Sequence, residues 1–165
     1  MKTIDIFGKN YFGKWNNIRT ACRAIIIRNG EILLSYETKT NQWKLPGGGL
    51  EQNENEEECV VRETIEETGF VIKPSKCLLE IDEYYEDWRW INRYFRGEII
   101  DVSKQSLTNR EKEVGMEPRW ILVDDILAVF SEYKKYEDTD EMRRGMYLRE
   151  YTALMAILSD NIKDC

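Results

Sequence analysis

Apolar and polar positions along the chain fall into short blocks whose period changes from two to nearly four and back. Arg19–Ile27 (RTACRAIII) and Glu31–Tyr36 (EILLSY) are rich in β-formers and flank Asn29-Gly30, a dipeptide that favours a two-residue hairpin turn. Trp43–Leu45 is a short extended piece stopped by Pro46 and three glycines. Asn55–Thr68 predicts a helix, with Asn55 as its cap, Glu58 at the capping-box position and Gly69 as a left-handed C-cap. Strands are expected at Phe70–Ile72, Leu78–Tyr85 and Arg89–Ile100, the last two joined through Glu86-Asp87. Ser103–Pro118 is polar and reads as a long loop, a length that in a compact domain commonly carries function. Trp120–Val123 predicts a strand, Asp124–Phe130 a short helix capped by Asp124, and Asp140–Ser159 a longer amphipathic helix. These elements interleave without a regular strand–helix–strand rhythm, which implies an α/β fold with a mixed sheet flanked by helices.

Composition narrows the function. The 165 residues suit one domain spanning 1–165, and 42% hydrophobic residues supply its core. The longest apolar runs are strand-length, too short to span a bilayer, so no membrane partner is expected. The start, MKTIDIFGKNYFGKW, lacks an apolar signal core, which gives a cytoplasmic expectation. A net charge of −7 argues against a nucleic-acid polymer as partner. It leaves room for a small anionic substrate if metal ions mediate the contact. Cys22, Cys59, Cys77 and Cys165 lie far apart, and the chain has no histidine. The thiols therefore read as small buried hydrophobes or free cysteines. Acid–base work falls to carboxylates, lysine, tyrosine or metal-bound water.

The densest charge is on the predicted helix. From Glu51 to Glu67 the chain holds eight carboxylates and one base, Arg62. Glu56, Glu57 and Glu58 suit the positive start of a helix and need no further explanation. Glu63, Glu66 and Glu67 do need one. They are spaced to share a face, they repel one another, and they occupy the last turns, where the helix dipole disfavours negative charge. Hard divalent cations, which take oxygen ligands, would supply the missing partner.

These residues resemble the Nudix box, G-x5-E-x7-R-E-U-x-E-E-x-G-U, where U is a bulky aliphatic residue. Gly48, Glu54, Arg62, Glu63, Glu66, Glu67 and Gly69 meet the fixed positions, and Trp43–Gly48 is similar to the usual approach to the box. Thr64 and Phe70 depart from it mildly, each standing where an aliphatic residue is usual. The resemblance implies an α/β/α sandwich around a mixed sheet, with the box as loop–helix–loop. It also implies hydrolysis of a phosphoanhydride bond in a nucleoside diphosphate derivative or triphosphate, with Mg2+ or Mn2+ as cofactor. By the same resemblance Glu63, Glu66 and Glu67 are the metal-binding and water-handling carboxylates, joined by Gly48 and by a carboxylate of the late loop, Glu113 first. Arg62 holds the glutamates in place. Arg23, Lys44, Trp43 and Arg93 are substrate-binding candidates, and Tyr84, Tyr85, Trp88, Trp90, Tyr94 and Phe95 could supply a platform for a base. A nucleoside triphosphate, intact or damaged, leads the substrate expectations, with ADP-ribose or another nucleoside-diphosphate derivative as alternative. A non-catalytic nucleotide sensor is the reading from another class. Either a monomer or a homodimer fits the C-terminal helix, whose Met142, Met146, Leu148 and Leu154 pack on the core or on a second copy.

Overall fold

The β-run expected over Arg19–Ile27 does not stay in one sheet. The computed structural model describes the backbone of residues 2–161 and side chains as far as residue 159. In it the run divides into β2 (Asn17–Ile25) and β3 (Ile27–Arg28), which belong to different sheets. Ile26 is the hinge: it is buried, and its carbonyl accepts the Leu33 amide at 2.9 Å. The hairpin from β3 to β4 (Glu31–Glu37) forms as expected, with Asn29 at φ 53° and Gly30 at φ 80°, the pair of positive values that a tight primed turn requires.

The first sheet has the order β1-β7-β8-β2-β6, built from β1 (Lys2–Phe7), β7 (Phe70–Tyr85), β8 (Trp88–Val102), β2 and β6 (Gly47–Gly49). β1 runs parallel to β7 and β2 parallel to β8, whereas β7–β8 and β2–β6 are antiparallel. In the second sheet β4 pairs with β3 and β5 (Gln42–Lys44) and also with β9 (Met116–Leu122). Helix α1 (Glu56–Thr68) lies on one side over a core of Cys22, Ala24, Leu33, Val60, Ile72 and Phe95. On the other side α3 (Val123–Ser131) and α4 (Glu141–Asn161) cover Ile25, Leu34, Leu79, Ile81, Tyr94 and Phe130. The result is the α/β/α sandwich that the sequence implied.

Several expectations change. The strands expected at Phe70–Ile72 and Leu78–Tyr85 are one strand, β7, whose register shifts accommodate the polar Lys73–Lys76 stretch. β1 has no strong period, because one side chain of six, Ile6, is buried. The supposed loop Ser103–Pro118 contains α2 (Asn109–Glu113), closed by a Thr108–Glu111 capping box, and the start of β9. Asp124 is not a cap: α3 starts one residue earlier, after Leu122, with no side-chain cap. A 3-10 turn, Glu132–Tyr136, joins α3 to α4. On α4, Leu154 is in the core but Met142 is 85% exposed, outside the core cluster. Cys22, Cys59 and Cys77 are free thiols, and Cys165 lies outside the described residues. Among the described residues no helix is long and apolar enough to cross a membrane.

Candidate active site

Helix α1 is specified at both ends by local chemistry. The Asn55 side chain accepts the Glu58 amide at 2.9 Å, and the Glu58 carboxylate accepts the Asn55 amide at 2.8 Å. A cap of this kind is worth about 1 kcal/mol. At the other end Gly69, at φ 76°, turns the chain out of the helix while its amide donates to Ile65 at 2.8 Å. Thr64, the polar residue at an aliphatic position, is fully buried, and its hydroxyl donates to the Val60 carbonyl one turn back at 2.6 Å. The departure is therefore satisfied inside the helix.

The three late glutamates differ in surroundings. Glu66 is the most open, Glu63 is largely buried, and Glu67 is 3% exposed. Glu67 Oε2 accepts the Ser35 hydroxyl at 2.7 Å and the Gly47 amide at 3.1 Å, so β4 and β6 both fix it. Burial pushes its carboxyl up to about 7, against the pull of Lys44, Ser35 and the Gly47 amide. Burial also raises Glu63, partly offset by Arg62, with the charges of Glu66 and Glu111 adding to the rise. Glu63 lies directly against Gly48: a Cβ there would meet its carboxyl atoms at 2.5 Å.

Arg62 ties the group together. It donates to Glu54 (2.9 and 2.5 Å), Glu63 (2.8 Å), Glu66 (3.2 Å) and the Gly49 carbonyl (3.1 Å). These hydrogen bonds hold the Glu54 carboxyl down at about 2. Glu54 is thus a brace between the loop and Arg62. Cys59 is fully buried, and the neighbouring Cys22 thiol and burial push its own thiol up.

Of the substrate candidates, Arg23 and Arg93 stand on opposite faces of the first sheet. Arg23 points to the α4 side, donates to Asn92 Oδ1 at 3.1 Å and lies 3.8 Å from Glu150. Arg93 points to the α1 side and pairs with Glu80 (3.0 Å) and with Glu56 at the start of α1. It fastens the helix, and Glu56 does more than complement the dipole. Lys44 pairs with Glu37 at 2.9 Å while its charge reaches Glu67. Trp43 packs on Tyr36 with ring centres 4.2 Å apart. Glu113 is exposed at the end of α2, whereas the charge of Glu111 reaches Glu63. Of the aromatic candidates, Tyr94 and Phe95 are core, and Tyr84 stacks on Phe7 at 4.7 Å. Trp88 and Trp90 remain half-exposed and stack on each other at 5.0 Å. Sequence reasoning missed Ser35, whose signal was a lone hydroxyl inside the apolar strand EILLSY.

The donor set suits a hard cation. Carboxylates of Glu63, Glu66 and Glu67 and the Gly48 carbonyl are all oxygen ligands, the kind that Mg2+ and Mn2+ prefer. Among the described residues no three acidic, cysteine or histidine side chains converge on one point. Arg62 Nη1, which bonds both Glu63 and Glu66, supplies the positive charge between them.

Fold and site together define an α/β/α protein with a carboxylate-bearing helix laid against a glycine strand. The chain matches the NUDIX domain over residues 18–144, well over half its length, and belongs to that family. It is 22% identical over 161 residues to an RNA pyrophosphohydrolase of Bartonella clarridgeiae, covering 86% of this chain and 87% of that one. It is 31% identical over 72 residues to the mRNA-decapping enzyme subunit 2 of Saccharomyces cerevisiae, 44% of this chain but 6% of that protein's length. Among solved structures, a NUDIX hydrolase from Nitrosomonas europaea shares the fold at a TM-score of 0.58 with 21% identity, covering 68% of this chain and 77% of that one.

Proposed function

We propose that this chain is a divalent-metal-dependent pyrophosphohydrolase that cleaves a phosphoanhydride bond of a small nucleotide, with water as the nucleophile. The observation that carries this reading is the common face of Glu63, Glu66 and Glu67, with Glu67 buried and fastened by Ser35 and Gly47. Such a face is costly to a helix on its own and useful to a cation. Glu63, Glu66, Glu67 and the Gly48 carbonyl would hold Mg2+ or Mn2+. Bound there, the metal neutralises the carboxylates, polarises the phosphoryl oxygens and lowers the pKa of water.

The chain's own residues do the rest. Ser35 and the Gly47 amide keep Glu67 in one orientation. Arg62 holds Glu63 and Glu66 through one nitrogen and the box loop through Glu54 and Gly49. Gly48 lets the chain approach Glu63. Of the late carboxylates, Glu111, which caps α2 by accepting the Thr108 amide at 2.7 Å, is the one whose charge reaches Glu63. Arg23 and Lys44 flank the glycine strand: Arg23 lies opposite Gly47 in register, and Lys44 is three residues before β6.

The substrate is a small nucleotide because the chain, at −7, has no basic field to track a polymer. The similar proteins named for RNA set the competing outcome. The test incubates the protein with Mg2+ and a panel of nucleoside triphosphates, sugar nucleotides, ADP-ribose, dinucleotides and 5′-triphosphorylated RNA. Turnover of a small nucleotide is expected, falling at least about a hundredfold in Glu67→Gln. No turnover of any compound, or an unchanged rate in Glu67→Gln, sinks the reading. Turnover of RNA alone moves the substrate to the polymer.

A further inference from the structure

We propose that Trp88 and Trp90, with Arg19 beside them, form the seat for the aromatic base of the nucleotide. This rests on the nucleotide reading above and assigns the end of the substrate remote from the carboxylates.

Alternation along β8 puts Trp88, Trp90, Asn92 and Tyr94 on one face, and their partners across the parallel pair are Asn17, Arg19, Ala21 and Arg23. That is the α4 side of the sheet. Helix α4 closes over the far end of this row: Glu150 faces Tyr94 and Arg23, and Arg149 donates to Glu83, which in turn accepts from Asn92. Its covering reaches Tyr85 on β7, where Gly145 leaves room for the tyrosine ring. Trp88 and Trp90 lie on the neighbouring strand and stay half-exposed, with rings 23° from parallel. Two large flat rings share one partly open shelf.

The shelf leads to the carboxylates. The Arg19 guanidinium sits 5.8 Å from the centre of the Trp90 ring. It also lies against β6, since a Cβ on Gly49 would come 2.6 Å from Arg19 Nη2. The next residue back, Gly48, makes the same kind of contact with Glu63 on the other side of the strand. Two adjacent glycines, whose Cα atoms are about 3.8 Å apart, thus separate the arginine from the catalytic carboxylate. Among the described residues Arg19 makes no ion pair, although the chain has seven more acidic than basic groups. An exposed arginine left unpaired between an aromatic shelf and the glutamates is a cation available to an anion. A nucleotide fits that order: base on the tryptophans, phosphates past Arg19 and Arg23, and the scissile end at Glu63.

The plain alternative is that the two tryptophans are an ordinary half-covered part of the sheet. Binding separates the two. AMP, GMP and UMP, with ribose 5-phosphate as the base-free control, are titrated calorimetrically into the full chain and into Trp90→Ala, Trp90→Phe and Arg19→Gln. A stacked base contributes enough that Trp90→Ala should weaken the nucleoside monophosphates by about ten- to a hundredfold. Trp90→Phe should hold binding within a few-fold, ribose 5-phosphate should bind more weakly than any nucleotide and ignore Trp90→Ala, and Arg19→Gln should weaken both kinds of ligand. Urea unfolding of each variant shows whether the fold is kept; if Trp90→Ala does not fold, Trp90→Leu, which fills the space without a flat ring, takes its place and should show the same loss. Equal binding of ribose 5-phosphate and nucleotides, no binding of any nucleotide, or nucleotide affinities indifferent to the folded non-aromatic variant overturns the assignment. Because the readout is binding, a chain that binds nucleotides here but hydrolyses none keeps the shelf and loses only the activity.

Discussion

At Gly48 the absence of one carbon atom decides what the site can do. Its φ is not positive, so alanine there carries no backbone strain, but its Cβ would meet the Glu63 carboxyl at 2.5 Å. Gly48→Ala should therefore leave the fold intact, within about 1 kcal/mol of the parent, while displacing Glu63. Turnover of the best substrate should drop tenfold or more, with the thermal midpoint little changed; a fully active Gly48→Ala would show that Glu63 is not held where it acts. The shared face of Glu63, Glu66 and Glu67, on which their proposed roles rest, was legible because spacing and dipole argue locally. Glu67's burial was not, because Ser35 reaches it from a strand thirty-two positions away. Thr64 looked anomalous from sequence and is ordinary in structure, since its hydroxyl finds the Val60 carbonyl within its own helix.

The loop and helix of the box behave as one element because Arg62 links them. Its bonds to Glu54 hold that carboxyl at about 2, below its ordinary 4.5. A depressed carboxyl stabilises the fold fully above the unfolded value and loses that contribution as pH falls through the folded one. The prediction is an acid-stability loss between about 4.5 and about 2 that Glu54→Gln lacks. Denaturant midpoints measured across that window for both proteins check it, and parallel curves would remove Glu54 from the brace. Helix α1 was legible to the residue at its caps, because Asn55, Glu58 and Gly69 act on their own neighbours. By contrast β1, exposed on most of its length, is a strand only because β7 lies beside it. The single strand β7 was also hidden, because Lys73–Lys76 interrupts its pattern with polar residues at a register shift.

Across the whole molecule, α4 is joined to the first sheet by buried charge as well as by Leu154 and Tyr147. Glu150 is fully buried and bonds Arg149 at 2.7 Å, and Arg149 reaches Glu83 on β7 at 3.0 Å. Removing one member strands the others in a dry environment, so Glu150→Ala should cost about 3 kcal/mol. Chemical denaturation measures it, and an unchanged midpoint would mean the network is solvated in solution. The family's fold and the helix of the box could be read from the sequence, but the faces could not. Arg23 and Arg93 both looked able to reach phosphate; only the register of β2 on β8 shows that they point apart.

That same register bears on how the protein is made. Lys2 lies opposite Leu79 and Asn17 opposite Trp88, so both parallel pairs close loops of more than seventy residues. Loop entropy is lost before such contacts repay it, which makes these pairings the slow part of folding. Helix α1, with its local caps, needs no such closure. The carboxylates can thus be arrayed on their helix early, while the opposed Trp90 and Arg19 come together only when the chain's distant parts have met. The proposed nucleotide shelf is the last part of this chain to assemble, and a partly folded copy would carry the charges without it.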